Sequence, residues 1–139
     1  MKVKHIVRRK GRRTITIAPN ATLKEASKAL SSEDIGALVV ADEVGQVLGL
    51  LSERDIVRQV SECGPEALRH SVKEAMDEDP VTCMPGDAVT AVMEVAARER
   101  ARYLPVLDDG TIDGIISVGD LLKRSMEEAA PTGRSSVTA

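Results

Sequence analysis

A seven-residue pattern that occurs twice constrains this chain more than any other feature. Residues 49–55 have the sequence Gly-Leu-Leu-Ser-Glu-Arg-Asp, and residues 114–120 have the sequence Gly-Ile-Ile-Ser-Val-Gly-Asp. Both copies place a glycine and two aliphatic residues before a serine, and an aspartate three positions after it. An aliphatic pair is typical of a buried strand, serine is a preferred helix N-cap, and aspartate favours the first helical turn. Each copy therefore predicts a strand that runs directly into a helix.

The similarity extends well beyond these two motifs. A shift of 66 positions aligns Thr16 with Thr82 and Leu38 with Leu104, and a shift of 65 positions aligns the motifs themselves. Two tandem units of about 60 residues thus cover most of the chain, and each follows the order strand, helix, strand, turn, strand, helix. Strands are predicted at 14–18, 37–41 and 46–51 in the first unit and at 81–84, 103–107 and 111–116 in the second, with helices at 22–33, 53–63, 88–99 and 118–130.

A three-stranded sheet with two helices on one face leaves its other face uncovered. Two such units bury these faces by packing sheet to sheet, so the predicted fold class is α/β (α+β) with pseudo-twofold symmetry. Clefts between equivalent halves are where small ligands usually bind. The predicted organisation is a basic N-terminal arm at 1–13, a first repeat at 14–63, a linker at 64–76, a second repeat at 77–128 and a flexible tail at 129–139.

Charge is unevenly distributed along the chain. Seven of its 19 lysines and arginines fall within the first 13 residues, which contain no acid, so the rest of the chain is acidic although the net charge is only −3. A basic arm of this kind binds nucleic acid, an anionic surface or a phosphate-bearing ligand, or simply lies solvated against an acidic body. These alternatives remain open at the level of the sequence.

Several classes of protein are excluded by what the sequence lacks. No apolar stretch is long enough to cross a bilayer, and the N-terminus has no signal-peptide block. Cys63 and Cys83 form no CxxC pair, so we expect free thiols and a cytoplasmic protein. His5 and His70 lie outside the motifs, and there is no phosphate-binding glycine loop, nucleophile elbow or metal-ligand spacing. We therefore expect a binding protein, neither an enzyme nor a metal protein.

The chain resembles a tandem pair of CBS domains, the Bateman module, over roughly residues 6–128. The resemblance is carried by the two motifs, by the Leu-Pro-Val-Leu-Asp segment at 104–108, and by Met76 followed by Pro-Val-Thr at 80–82. It implies that each ligand site combines residues of both repeats, with an aspartate of one repeat holding a ribose. The backbone before the middle strand of the other repeat would contact the adenine edge.

The motif itself permits two interpretations. A carboxylate in the first helical turn can accept hydrogen bonds from vicinal ribose hydroxyls, and the adjacent helix N-terminus attracts a phosphate. Alternatively, the serine and aspartate only cap their helices. Duplication and the family resemblance favour the ligand site. Transferred to this chain, the first cleft comprises Pro80, Val81, Ala101, Arg102, Tyr103, Ser52, Arg54 and Asp55, and the second comprises Lys10, Thr14, Ile35, Gly36, Ala37, Ser117 and Asp120.

The two predicted clefts are not equivalent. Arg54 and Arg102 are expected to contact phosphate in the first cleft, and the position equivalent to Arg102 in the second is Gly36. We expect the first cleft to be the more cationic one, unless the basic arm folds over the second. Gly36 is expected to leave room for close approach of a ligand. Tyr103 either stacks on a base or forms a partly buried wall.

The predicted function is that of a stand-alone regulatory sensor, active in signal transduction and energy sensing. Its regulatory ligand would be AMP, ADP, ATP or NAD(H), with no catalytic cofactor, and it would signal through conformation or through binding of an unknown effector protein. The resemblance also implies a homodimer built through the helices. The alternatives are a nucleic-acid-binding protein that uses the basic arm, and a nucleotide hydrolase. No membrane partner is expected.

Overall fold

The computed structural model describes residues 1–9 and 15–129. Six α-helices and five strands lie in these residues. In chain order they are α1 (Val3–Arg9), β1 (Thr16–Ile17), α2 (Leu23–Glu33), β2 (Ala37–Ala41), β3 (Val47–Ser52), α3 (Glu53–Cys63), a 3₁₀ helix (Gly64–Arg69), α4 (Val72–Ala75), α5 (Val89–Glu99), β4 (Tyr103–Asp108), β5 (Thr111–Ser117) and α6 (Val118–Ala129). Within the described ranges, no helix combines the length and the apolar character needed to cross a membrane.

The first unit contains the expected three-stranded sheet, in the order β1-β2-β3. β1 pairs with β2 in parallel, and β2 pairs with β3 antiparallel, with Ala37 opposite Ser52. The turn between β2 and β3 is fixed by Asp42, whose carboxylate accepts hydrogen bonds from the N–H groups of Val44 (3.0 Å) and Gln46 (2.8 Å). Gly45 supplies the positive φ of 87° that closes this turn.

The sheet of the second unit is smaller than predicted, because the expected strand at 81–84 is reduced to one residue. β4 and β5 pair antiparallel, and Cys83 alone bridges to β4. Its N–H donates to the Pro105 carbonyl (3.0 Å), and its carbonyl accepts from the Leu107 N–H (2.8 Å). The next N–H, of Met84, donates instead to the Asp87 carboxylate (2.8 Å), which ends the pairing in a turn.

The two units pack sheet to sheet, as predicted. Along β2, Leu38 and Val40 face the helices of their own unit, whereas Ala37 and Val39 face the other unit, as a strand period of two requires. The interface between the sheets joins Ala37, Val39 and Leu50 of the first unit to Tyr103, Ile112 and Ile115 of the second. The α/β class, the tandem organisation and the face-to-face packing are thereby confirmed.

Residues 1–9 of the predicted basic arm pack on the second unit. They form α1, whose apolar residues Val3, Ile6 and Val7 are buried in the core of the second unit with residues of α5, β4, β5 and α6. Arg8 and Arg9 remain exposed, and Arg9 forms an ion pair with Glu127 of α6 (3.8 Å). The i, i+3, i+4 spacing of these three apolar residues was the signal for a packed helix.

α1 is the structural counterpart of α4, and the two helices are exchanged between the units. The Val3 N–H donates to Asp87 (3.0 Å), and the Val72 N–H donates to the equivalent Ala21 (2.8 Å). α1, which precedes the first unit in the chain, therefore packs on the second. α4 lies within the predicted linker 64–76, precedes the second unit, and packs on the first. Residues 10–14 and 130–139, with the start of the first predicted strand and nearly all of the predicted tail, lie outside the described residues.

Candidate functional site

The first motif closes a capping box at the start of α3. The Asp55 N–H donates to the Ser52 hydroxyl (3.3 Å), and the Ser52 N–H donates to Oδ2 of Asp55 (2.8 Å). The Asp55 side chain is only 13% exposed, and its other oxygen, Oδ1, accepts from Arg58 at 2.7 Å. The capping interpretation of the motif is thus correct, and the cap holds the carboxylate in one fixed orientation. Arg58 was not predicted, although an Asp–Arg pair three residues apart on a helix is a signal for such a contact.

The second motif repeats this geometry at the start of α6. The Ser117 N–H donates to Oδ2 of Asp120 (2.9 Å), and the Asp120 N–H donates to the Ser117 hydroxyl (3.0 Å). Both aspartates are only partly exposed. Each motif therefore presents one carboxylate, held by its own serine, in the first turn of a helix.

All eight residues predicted for the first cleft line one cavity of about 270 Å³. Ser52, Arg54 and Asp55 come from the end of β3 and the first turn of α3, and the other five come from the second half of the chain. The cavity therefore lies between the two units, as expected. Its remaining lining residues, which the sequence analysis did not include, are Leu50, Asp77, Asp79, Glu99 and Arg100.

Gly49 of the motif explains how the chain reaches this cavity. Leu50 and Asp77 exchange two backbone hydrogen bonds, of 3.0 and 2.9 Å, so the segment after α4 runs antiparallel along β3. A Cβ atom on Gly49 would lie 2.5 Å from the Asp77 carbonyl oxygen and 3.0 Å from the Met76 sulfur. The glycine thus makes room for the segment that leads through Asp77 and Asp79 to Pro80 at the cleft.

The charge of the first cleft differs from the expectation. Four acids, Asp55, Asp77, Asp79 and Glu99, line the cavity together with three arginines, Arg54, Arg100 and Arg102. Acids thus outnumber cations here. This cleft was expected to be the more cationic one only if the basic arm did not fold over the other. Two of the four acids, Asp77 and Asp79, come from the segment after α4, which enters the cleft because α4 packs on the first unit. No local pattern around the motif indicates that.

The surroundings of Asp120 are cationic instead. Asp120 lines a second cavity, of about 260 Å³, together with Ile6, Arg9, Lys123, Arg124 and Glu127. Arg9 reaches it because α1 packs on the second unit, which is the exception that the sequence analysis had allowed. Two further residues predicted for the second cleft, Lys10 and Thr14, lie outside the described residues.

The remaining residues predicted for the second cleft lie at the start of β2. Ala37 is buried against the second unit, Ile35 is half-buried against its own unit's core, and the Gly36 carbonyl accepts from the Glu53 N–H (3.0 Å). The Tyr103 side chain of the other unit fills the space beside Gly36. A Cβ atom there would lie 2.7 Å from Cζ of Tyr103 and closer still to its hydroxyl. The expectation that Gly36 leaves room for a ligand is therefore wrong, since a tyrosine already occupies that room.

A larger cavity lies elsewhere. A groove of about 950 Å³ runs between the end of β1 and the β2–β3 turn, with Lys73 and Ile112 at its sides. Neither motif reaches it, and no arginine is among the described residues that line it. We therefore place the candidate site at the smaller cavity, where the motif, the arginines and both units meet.

The thiols and acids give no sign of metal or nucleophile chemistry. In the two described ranges, no group of three His, Cys, Asp or Glu side chains is arranged to hold a metal ion. Both cysteines are free, Cys63 exposed and Cys83 buried. Burial, with a smaller contribution from the negative charge of Asp87, raises the pKa of the Cys83 thiol to about 12, so it stays protonated and unreactive at neutral pH.

Comparison with known proteins gives one consistent result. A family model described as CBS domain matches residues 3–62 and 72–127. The crystal structure of the CBS-domain containing protein ATU1752 from Agrobacterium tumefaciens has 38% sequence identity and a TM-score of 0.86, and the match covers 90% of this chain and 99% of that one. The CBS domain-containing protein YhcV of Bacillus subtilis (strain 168) is 29% identical over 111 residues, which are 80% of this chain and 78% of that protein.

Two more distant structures share the fold and contain ligands. The CBS domain pair of protein MJ0100, in complex with 5′-methylthioadenosine and S-adenosyl-L-methionine, is 23% identical with a TM-score of 0.82 over 92% of this chain and 98% of that one. CBSX2, in complex with AMP, is 18% identical with a TM-score of 0.75 over 93% of this chain and 98% of that one.

Proposed function

The chain belongs to the CBS domain family, with two copies in tandem, and from this premise we propose that it is a regulatory module that binds an adenosine-containing ligand between its units. The proposed ligand is AMP, ADP, ATP or NAD(H), bound without chemical conversion and read out through conformation or through an effector protein. The observation that carries the proposal is that one cavity collects eight residues from both units around the pinned carboxylate of Asp55. The adenosine moiety shared by AMP, 5′-methylthioadenosine and S-adenosyl-L-methionine in the related structures supports it.

Each part of the cavity has a proposed role. The ribose hydroxyls bind Asp55, where they replace the contact of Oδ1 with the half-exposed side chain of Arg58. The base lies against the backbone at 101–103, and the phosphate points to Arg54 at the N-terminus of α3. Arginine and helix N–H groups are both suited to that anion.

Size and charge narrow the choice of ligand. A cavity of about 270 Å³ is near the lower end of the usual range for ligand sites, roughly 300–1,000 Å³, and favours a mononucleotide over a dinucleotide. Asp77, Asp79 and Glu99 in its lining repel additional phosphates. We therefore expect AMP to bind this cleft more tightly than ATP or NAD(H). Because the AMP concentration reflects the energy state of the cell, AMP binding would make the module an energy sensor.

A thermal-shift screen with AMP, ADP, ATP, NAD, NADH and S-adenosylmethionine tests the proposal, because a ligand that binds only the folded state raises the melting temperature. In Asp55→Ala we expect that shift to disappear. This variant also loses its capping box, at a cost of about 1 kcal/mol. The matched control is Glu25→Ala, which removes the equivalent capping box at the start of α2. There the Thr22 N–H donates to Glu25 (2.8 Å) and the Glu25 N–H donates to the Thr22 hydroxyl (3.1 Å), and neither residue lines the cavity.

The control separates binding from stability. Both variants should melt at a lower temperature than the wild type, and only Glu25→Ala should keep the full ligand-induced shift. Equal shifts in both variants would rule out the role of Asp55, and no shift of the wild type with any compound would rule out the proposed function.

Two rival functions are tested separately. Exposed Arg8 and Arg9 favour nucleic-acid binding, although α1 is anchored by its buried face and is no free arm. Fluorescence anisotropy with RNA and DNA at increasing salt would reveal that function as tight binding with a steep salt dependence. Chromatography of ATP and NAD after incubation with the protein would reveal a hydrolase, and we expect both compounds unchanged.

We also propose that the module forms a homodimer through α3 and α6. Val57 and Val60 on α3 are 66% and 37% exposed, and Leu122 and Met126 on α6 are 46% and 69% exposed. Val57 and Leu122 occupy equivalent positions of the two units. A pair of apolar stripes related by the pseudo-twofold suits contact with the same surface of a second copy.

A further inference from the structure

We infer that Tyr103 limits the chain to one nucleotide, bound in the first cleft, by filling the place where the base would lie in the second. This inference rests on the proposed function and adds to it the number and location of the ligands. Tyr103 is the first residue of β4, and its counterpart in the first unit is Ala37, the first residue of β2. The asymmetry between the clefts thus originates in one pair of equivalent positions.

Contacts with both units hold the tyrosine in place. Its ring packs in the interface between the sheets with Ala37, Val39 and Leu50, and the phenol end extends to Gly36. Its backbone is fixed by pairing with Ser117 across β4 and β5. Strand pairing thus holds the Tyr103 backbone, the ring is packed between the sheets, and the hydroxyl end lies against the backbone of the first unit.

This position has opposite consequences for the two clefts. The backbone before β2, at Ile35 and Gly36, is the surface that a base in the second cleft would contact, and the phenol covers it. The equivalent backbone before β4, at Ala101 and Arg102, lines the open cavity of the first cleft. Ala37 carries only a methyl group, which is too short to cover Arg102 as Tyr103 covers Gly36.

Gly36 itself supports the inference. Its φ is not in the left-handed region, so the backbone conformation does not require glycine. What requires glycine is the tyrosine, because a Cβ atom would lie 2.7 Å from Cζ of the ring. The glycine and the tyrosine therefore form a matched pair across the two units, and the second cleft is closed by that match.

Isothermal titration calorimetry of the full chain with AMP tests the inference. We expect one AMP per chain for the wild type and for Tyr103→Phe, which keeps the ring. Because Tyr103 also lines the first cleft, the second cleft is tested in the Asp55→Ala background. Asp55→Ala alone should bind no AMP, adding Tyr103→Ala should restore one AMP per chain, and adding Asp120→Ala as well should remove it again. Two AMP per wild-type chain, no binding by Asp55→Ala/Tyr103→Ala, or binding by that variant that persists after Asp120→Ala, would overturn the inference.

A second measurement requires no ligand. Gly36→Ala should lower the melting temperature of the wild type and be tolerated in the Tyr103→Ala background, because the clash is then absent. Equal effects in both backgrounds would show that the tyrosine does not fill this space, and would overturn the inference. If no variant binds AMP or any other compound of the screen, the proposed function and the stoichiometry both fail. The melting temperatures of Gly36→Ala in the two backgrounds still decide whether Gly36 and Tyr103 are in contact.

Discussion

Gly49 shows how much of the architecture depends on a single absent side chain. The segment after α4 runs antiparallel along β3 here, and the two backbones are bonded through Leu50 and Asp77. This segment brings Asp77 and Pro80 to the cavity. A side chain at position 49 would push the segment away from β3, and the site would lose one wall.

We therefore expect Gly49→Ala to destabilise the protein by about 1–3 kcal/mol, the usual cost of forced overpacking, because its Cβ would lie 2.5 Å from a backbone oxygen. Gly86→Ala is the matched control. No atom lies within 4 Å of its added Cβ, so its effect should stay within about 0.5 kcal/mol. Urea denaturation of both variants measures their free energies of unfolding. Equal values would contradict the close contact between Gly49 and the Asp77 backbone.

The buried thiol of Cys83 should make the stability of the protein depend on pH. Its pKa is raised from 9.0 to about 12 in the folded protein by burial, so unfolding favours the thiolate. The stabilising contribution is complete below pH 9 and is lost as the pH rises from about 9 towards 12. Cys83→Ala should remove this part of the alkaline destabilisation in a series of melting curves. In native protein at pH 8, Ellman's reagent should titrate Cys63 alone, and a second rapidly reacting thiol would contradict the burial.

The residues of the motif were predictable because their partners are local. Ser52 and Asp55 are three positions apart, and that spacing alone determines a capping box. The partners of Gly49 and Gly36 are Asp77 and Tyr103, which only the folded chain brings near. The sequence indicates that a glycine is present at these positions, but it does not indicate what occupies the space beside it.

The same distinction applies to whole elements. Helices α2, α3, α5 and α6 and strands β2 to β5 follow from hydrophobic periodicity, which is encoded within each segment. α1 was missed because its role depends on the distant second unit, with which it shares a core. The shared Val-Lys pair at 3–4 and 72–73 was the available signal that α1 and α4 are equivalent.

Because α1 belongs to the core of the second unit, its apolar face should contribute strongly to stability. Ile6 is 3% exposed, and Ile6→Ala should cost about 2–5 kcal/mol. Arg8→Ala, on the exposed side of the same helix, should change stability by less than about 0.5 kcal/mol. Urea denaturation at one protein concentration compares the two. Similar small losses would mean that α1 is a detachable arm, as the charge pattern first indicated.

At the scale of the molecule, the pseudo-twofold relates backbones but not charges. The segment after α4 brings Asp77 and Asp79 to the first cleft, whereas α1 brings Arg9 to the surroundings of Asp120. Tyr103 adds a steric difference to this electrostatic one. The two units thus share one backbone arrangement, but different residues around each cleft give the two clefts different chemical environments.

The outer surface retains more of the symmetry, and the proposed homodimer depends on it. Leu122→Glu places a charge within the apolar stripe of α6, and burying that unpaired charge at an interface should cost about 3–5 kcal/mol, enough to dissociate a micromolar dimer. Val44→Glu is the control, since Val44 is 87% exposed on the β2–β3 turn, away from both stripes. Light scattering coupled to gel filtration should give twice the chain mass of 14.9 kDa for the wild type and for Val44→Glu, and the single mass for Leu122→Glu. A wild type that is monomeric at every concentration, or a Leu122→Glu variant that stays dimeric, would show that α6 does not form the interface.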